Sequence, residues 1–253
     1  MIVKINYISS EYIRHIIFVL KKNIFGQYLI IKKLLIALIG ALTHKTFSTK
    51  RFNIQGTSIL NKISNNNVLF ISNHHTYFYD VIAMLHVFNA SFNGREDSVR
   101  NLSYLLKPKS NIYFIAALET MKTSLITKIL SYTGSILIKR TWREAGKEIN
   151  RNIRVEDFDN IKKALTDGWV ITFPRGTTDN SKPVRSGTAH IIKSTNPIVI
   201  PITIKGFDEV FEKNSLKIKN RNKSFSLEFG NPLKFNYNES IESITSQIEK
   251  FIN

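Results

Sequence analysis

Short runs built almost wholly of apolar, β-branched and aromatic residues recur along this chain. Val68-Leu69-Phe70-Ile71, Trp169-Val170-Ile171-Thr172-Phe173 and Ile198-Val199-Ile200-Pro201-Ile202-Thr203-Ile204 are the clearest. They are too short for core helices and do not alternate, so they read as strands buried on both faces. Ser135-Ile136-Leu137-Ile138 is a fourth. Between them, residues 79–88, 123–132, 157–165 and 187–193 carry helical spacing, and Ser240 to Ile252 reads as a closing helix. Ser224 to Phe229 alternates as a half-exposed strand. Asn89 to Asn101 is polar and reads as a surface loop. Strand-helix alternation of this kind predicts an α/β fold: a largely parallel central sheet flanked by helices.

The first 50 residues differ. Ile16 to Leu20, Tyr28 to Ile31 and Leu34 to Leu42 are apolar, punctuated by Lys21, Lys22, Lys32 and Lys33. No stretch reaches the roughly 18 uncharged apolar residues of a spanning helix. The apolar run starts too late, and has too many lysines after it, for a cleavable signal. Basic, apolar-rich helices of this kind fit a membrane interface, or a helical pair packed on the protein's own core. The expected organisation is an N-terminal amphipathic helical segment, 1–50, and one α/β domain, 51–253, long enough to bury a full core.

Net charge bounds the partners. Lys and Arg outnumber Asp and Glu 36 to 19, giving +17. Such a field draws a chain to anionic membranes, phosphorylated substrates or nucleic acid. The aromatic residues follow strand and helix spacing, which favours core packing over base stacking, so nucleic acid is not the expected partner. There is no cysteine. That removes thiolate nucleophiles, disulfides and Cys-based metal sites. His15, His44 and His86 have no partner at ligand spacing, and His190 reads as a surface or packing residue, so no metal site is expected.

Two segments carry chemistry. In Asn73-His74-His75-Thr76-Tyr77-Phe78-Tyr79-Asp80 a buried strand ends and a helix begins, the usual place for a site in such folds. A histidine supplies a base, and a carboxylate fixes its tautomer and stabilises the imidazolium. The competing reading is a helix cap formed by Asn73 or Thr76, with the histidines incidental. The second segment is Phe173-Pro174-Arg175-Gly176-Thr177-Thr178, followed by the basic loop Lys182 to Arg185. Backbone amides, hydroxyls and cations together suit a phosphate.

With Gly134-Ser135-Ile136-Leu137-Ile138-Lys139-Arg140 and Val199-Ile200-Pro201-Ile202, these segments form four ordered blocks over roughly residues 66–206. The set resembles that of the glycerolipid acyltransferases: N-H-x-S-x-x-D, G-x-I-x-I-x-R, F-P-E-G-T and a strand holding a Pro. The resemblance implies transfer of a fatty acyl group from acyl-CoA or acyl carrier protein to a hydroxyl of a lysophospholipid, foremost 1-acylglycerol-3-phosphate. It implies no metal or organic cofactor, and association with an anionic membrane at the cytoplasmic face of the bacterial inner membrane. By the resemblance, a histidine is the base and Asp80 orients it, while Arg140, Arg175, Gly176, Thr177 and Arg185 hold the acceptor phosphate.

Two registers are open for the base. His75 keeps the family's four-residue gap to Asp80. His74 follows Asn73, stands two residues before Thr76, and leaves Asp80 one residue late; its place at the strand end favours it. Arg175 replaces the family's Glu, which points to a phosphate clamp, to another lysolipid acceptor or, with the doubled histidine, to a catalytically impaired relative. The rival class, a non-enzymatic basic protein on membranes or nucleic acid, accounts for the charge but not for the four blocks.

Overall fold

The computed structural model of the protein describes residues 21–122, 125–139, 143–144, 147–148 and 154–252. Helix α1 (Leu29–Phe47) leads into strand β1 (Phe52–Gln55), then β2 (Val68–Ser72), helix α2 (Tyr79–Phe92) and β3 (Ile112–Ala117). Short α3 (Leu118–Met121) and α4 (Leu125–Tyr132) precede β4 (Ser135–Ile138). A small antiparallel pair, β5 (Arg143–Glu144) and β6 (Lys147–Glu148), precedes α5 (Val155–Asp167) and β7 (Trp169–Thr172). The chain continues with α6 (Gly187–Thr195), β8 (Ile198–Lys205), α7 (Phe207–Val210), β9 (Phe225–Phe229) and α8 (Ile241–Ile252).

Seven strands form the main sheet in the order β1-β9-β8-β2-β7-β3-β4. The five from β8 to β4 are mutually parallel, while β9 runs antiparallel to β8 and carries β1 parallel to itself. The expected α/β fold with a largely parallel sheet is therefore the one observed. Side chains of β2 divide between two cores. Val68 and Phe70 pack with α2, and Leu69 and Ile71 pack with α5, α6 and α8. Every residue of β2 is buried, which is why its sequence shows no alternation. On α8, Ile244, Ile248 and Ile252 recur every fourth residue and form its buried stripe.

Three local expectations change. β1 and β3 carry too weak a signal on their own: Phe52-Asn53-Ile54-Gln55 alternates for only four residues, and β3 ends in two alanines. Helix α2 runs on to Phe92, so the predicted loop from Asn89 begins inside it. Of the two N-terminal apolar helices, the stretch Ile16 to Leu20 lies outside the described residues. The other is α1.

Helix α1 has two apolar faces. Lys32, Ile36, Gly40 and Phe47 are buried against the body of the protein. A Cβ on Gly40 would meet Leu105 Cδ2 at 2.6 Å, so the helix lies tight on the Leu102–Leu106 turn. Phe47 enters an aromatic cluster with Phe52, Tyr79, Phe211 and Phe225. Ile31, Leu34, Leu38 and Leu42 line the exposed face. Lys32 was expected among the basic residues at a membrane interface, but it is fully buried. Its Nζ donates to the Ile112 carbonyl at 3.3 Å and lies 4.1 Å from the Tyr113 ring centroid. Burial lowers its pKa to about 7 against the opposing pull of Asp167. The physical reason is position: Lys32 stands on the same stripe as Ile36 and Gly40, which faces the core.

Candidate active site

β2 and β7 are neighbours in register, with Ile71 opposite Thr172. Their carboxyl ends deliver the two chemistry-bearing segments side by side. The His74 ring stacks on the Phe173 ring, with centroids 3.9 Å apart and planes 18° apart. The Phe of the third block therefore forms one wall of the histidine's seat.

His74 and Asp80 form a close pair, Nδ1 to Oδ2 2.8 Å. A carboxylate only accepts, so Nδ1 carries the proton and donates it. No described residue bonds Nε2, and the side chain keeps 15% of its surface open while Asp80 is fully buried. Asp80 also accepts from the His75 N–H at 2.7 Å, the Thr76 N–H at 3.1 Å and the Thr76 hydroxyl at 2.6 Å. The Thr76 hydroxyl in turn accepts from the Asp80 N–H at 3.2 Å. Four donors and a place in the first turn of α2 stabilise the buried anion. Thr76 thus holds the first turn of α2, through the Asp80 N–H, and clamps the carboxylate at once.

His75 points elsewhere. Its Nδ1 lies 2.7 Å from Asp208 Oδ1, and its Nε2 lies 3.0 Å from Asn73 Nδ2. Asn73 is fixed to β8, donating to the Ile204 carbonyl and accepting from the Ile204 N–H, each at 2.8 Å. Both His75 ring nitrogens are engaged, while His74 has Nε2 open. The longer gap, His74 to Asp80, is therefore the one that forms a pair; the four-residue gap is spanned only by the His75 backbone.

The segment after β7 makes a tight loop. Gly176 has φ of +64°, a left-handed turn that a Cβ would strain, and its N–H donates to the Phe173 carbonyl at 2.8 Å. Thr177 Oγ1 accepts from the Asp179 N–H at 3.2 Å. Arg185 closes the loop: its N–H donates to the Pro174 carbonyl at 3.0 Å and its Nε to the Arg175 carbonyl at 3.1 Å. Gly176, Thr177 and Arg185 are each half-buried on this loop beside the histidine wall.

Arg175 was expected to face the acceptor with them. Its guanidinium is instead buried, donating to the Lys182 carbonyl and pairing with Glu249 of α8 at 3.3 Å. Phe173 packs with the core that holds α2, and Glu249 belongs to a helix on the other face of the sheet. Arg140 lies outside the described residues; β4, which leads toward it, is three strands from β2, roughly 14 Å at the usual spacing. In the same block Gly134 is explained by space, since a Cβ there would meet the Ile112 carbonyl oxygen at 2.3 Å.

Sequence reasoning missed Phe173 and Asp208 as site residues. The signal for Phe173 was present, because it begins the third block. Asp208 lies 133 positions from His75 and gave none.

A family model described as Acyltransferase matches residues 51–205. A solved structure, the 1-acyl-sn-glycerophosphate acyltransferase PlsC from Thermotoga maritima, is similar with a TM-score of 0.53 at 16% identity. The match covers 87% of this chain and 76% of that one, and shows a shared fold. No curated protein matches the chain.

Proposed function

The chain belongs to the Acyltransferase family, and on that premise we propose that it moves a fatty acyl group from a thioester donor to the free hydroxyl of 1-acylglycerol-3-phosphate. The observation that carries this reading is the His74–Asp80 pair with Nε2 open. In the step proposed, Nε2 takes the proton of the acceptor hydroxyl as its oxygen attacks the thioester carbonyl. The carbon–sulfur bond breaks, and the imidazolium returns the proton to the leaving thiolate. Asp80 holds the ring in the tautomer that leaves Nε2 basic and stabilises the imidazolium as it forms. No acyl-enzyme is required, and the donor is acyl-CoA or acyl carrier protein.

Gly176, Thr177 and Arg185 sit on the loop beside His74 and are proposed to hold the acceptor phosphate, together with Arg140. Arg175 is proposed as a strut that ties this loop to α8. Membrane attachment is proposed through the exposed face of α1, on the ground that Ile31, Leu34, Leu38 and Leu42 are exposed there, as are Leu102 and Leu106 of the turn packed on that helix. No helix among the described residues is long and apolar enough to cross a membrane. The apolar face is proposed to lie in the cytoplasmic leaflet. Replacing Leu34 and Leu38 by Gln should release the protein from anionic liposomes; binding equal to that of the parent would remove this placement.

The test of function is direct. The purified full-length protein is given 1-acylglycerol-3-phosphate with palmitoyl-CoA or palmitoyl carrier protein, and phosphatidic acid is measured. Product with the parent and its loss in His74→Ala supports the reading. Equal product from His74→Ala would overturn the mechanism. Transfer only to a different lysolipid would keep acyl transfer and replace the acceptor.

A further inference from the structure

We propose that His75, Asp208 and Asn73 form a positioning network that holds the carboxylate of Asp80 on His74. The proposal rests on the acyl-transfer reading of the site and adds three residues that do not touch the reacting atoms.

Three bonds meet at one oxygen. Asp80 Oδ2 receives Nδ1–H from the His74 ring at 2.8 Å, the backbone N–H of His75 at 2.7 Å and that of Thr76 at 3.1 Å. The backbone of His75 makes the shortest of the three, so what holds residue 75 acts on the anion and, through it, on the base. Its own ring does so. Asn73 has already spent one Nδ2 hydrogen and its Oδ1 on Ile204, so the hydrogen it offers His75 is the other one. His75 Nε2 must accept, which leaves its proton on Nδ1, where it donates to Asp208 at 2.7 Å. The ring is clamped between the end of β2 and the first turn of α7, two segments that reach the site from different parts of the chain. Asp208 answers in kind: partial burial raises its pKa, but hydrogen bonds, the one from His75 foremost, and the nearby Lys219 outweigh that and hold it below the usual carboxylate value.

The strand-to-helix turn is braced along its whole length by the same region. The Tyr77 N–H donates to the Lys213 carbonyl at 2.8 Å, and the Tyr79 hydroxyl to the Leu216 carbonyl at 2.7 Å. Asp208 differs from these braces because it is largely exposed, at 64% of its side-chain surface. A surface pair of this kind contributes little to folding. Its removal should spare the fold and still loosen the base, and that separates positioning from mere stability.

The experiment uses full-length protein, assayed for phosphatidic acid with the parent and with His75→Ala, Asp208→Ala and the double variant. His75→Ala should lower kcat about ten-fold and Asp208→Ala about three-fold, because small displacements of a base are costly. KM for both substrates should stay within about two-fold, and the melting temperature of Asp208→Ala within about 2 °C of the parent. The double variant should lose no more than His75→Ala, since the two act through one path. His75→Asn places an amide where Nδ1 stands and keeps the Asp208 arm; His75→Gln places one where Nε2 stands and keeps the Asn73 arm. Each should recover part of kcat. Parental kcat in Asp208→Ala or His75→Ala overturns the proposal, and so do losses that multiply in the double variant. A kcat loss in Asp208→Ala matched by a large fall in melting temperature also overturns it. If the parent transfers no acyl group to any lysolipid, the failure lies with the proposed function instead.

Discussion

Two histidines of this protein, His74 and His86, make opposite patterns of hydrogen bonds. His74 has a carboxylate on Nδ1, an open Nε2 and some access to solvent. His86, on α2, is only 2% exposed and has both nitrogens engaged, with Thr43 Oγ1 at 2.8 Å and the Tyr104 hydroxyl at 2.6 Å. Burial, helped by His44, lowers the pKa of His86 to about 3, so it is neutral across the physiological range. His86 joins α1, α2 and the Leu102–Leu106 turn; it is a strut. The contrast teaches that a histidine's use is set by its second partner. An anion on one nitrogen with the other left open suits a base, and two neutral partners suit a brace.

The largest expected effect breaks or keeps that contrast in catalysis. Asp80→Asn should lower kcat by about a hundred-fold or more, since the neutral amide no longer stabilises the imidazolium. His86→Gln should leave the kcat of folded protein within about two-fold. A His86→Gln protein as inactive as Asp80→Asn would erase the distinction drawn between the two rings.

In stability the order should reverse. His86→Ala opens a cavity and orphans the Tyr104 hydroxyl, at a cost of about 3 kcal/mol in urea unfolding. His74→Ala, at the site's rim, should cost no more than about 1.5 kcal/mol. Equal costs would show that His74 is as much a part of the packing as His86.

Acid sharpens the same point. The folded-state pKa of His86 is about 3 and the ordinary value is 6.5, so below 6.5 the unfolded chain binds a proton that the native protein refuses. This contribution to stability is complete above pH 6.5 and is lost as pH falls from 6.5 toward 3, by up to about 1.4 kcal/mol per pH unit. His86→Gln should flatten that slope in urea titrations at several pH values. An unchanged slope would assign the acid sensitivity to other groups.

The smallest effect concerns Arg175. If it braces the loop against α8, Arg175→Met should cost about 1–3 kcal/mol in stability and leave KM for 1-acylglycerol-3-phosphate within about two-fold. A ten-fold rise in that KM with unchanged stability would return Arg175 to the acceptor site.

Much of this protein was legible in its sequence. The fully apolar runs at β2, β7 and β8 announced a covered parallel sheet, because burial on both faces removes alternation. The four ordered blocks brought out His74, Asp80, Gly176 and Thr177, since a strand end followed by a turn is a local pattern. The strand-end position of His74 favoured it over His75, but the sequence left both registers open. Adjacent residues in an extended turn point in different directions, and only Asn73 locked to Ile204 and Asp208 waiting across 133 residues decide which ring meets Asp80. Arg175 and Lys32 make the same case for charge. Sequence marks both as cations for a ligand or a membrane, and the fold buries both, one on Glu249 and one on the Ile112 carbonyl. Local spacing determines which residues a strand, turn or helix presents. Long-range packing alone decides which partner each polar group meets, and it is the partner that sets whether a titratable group works as base, clamp or strut.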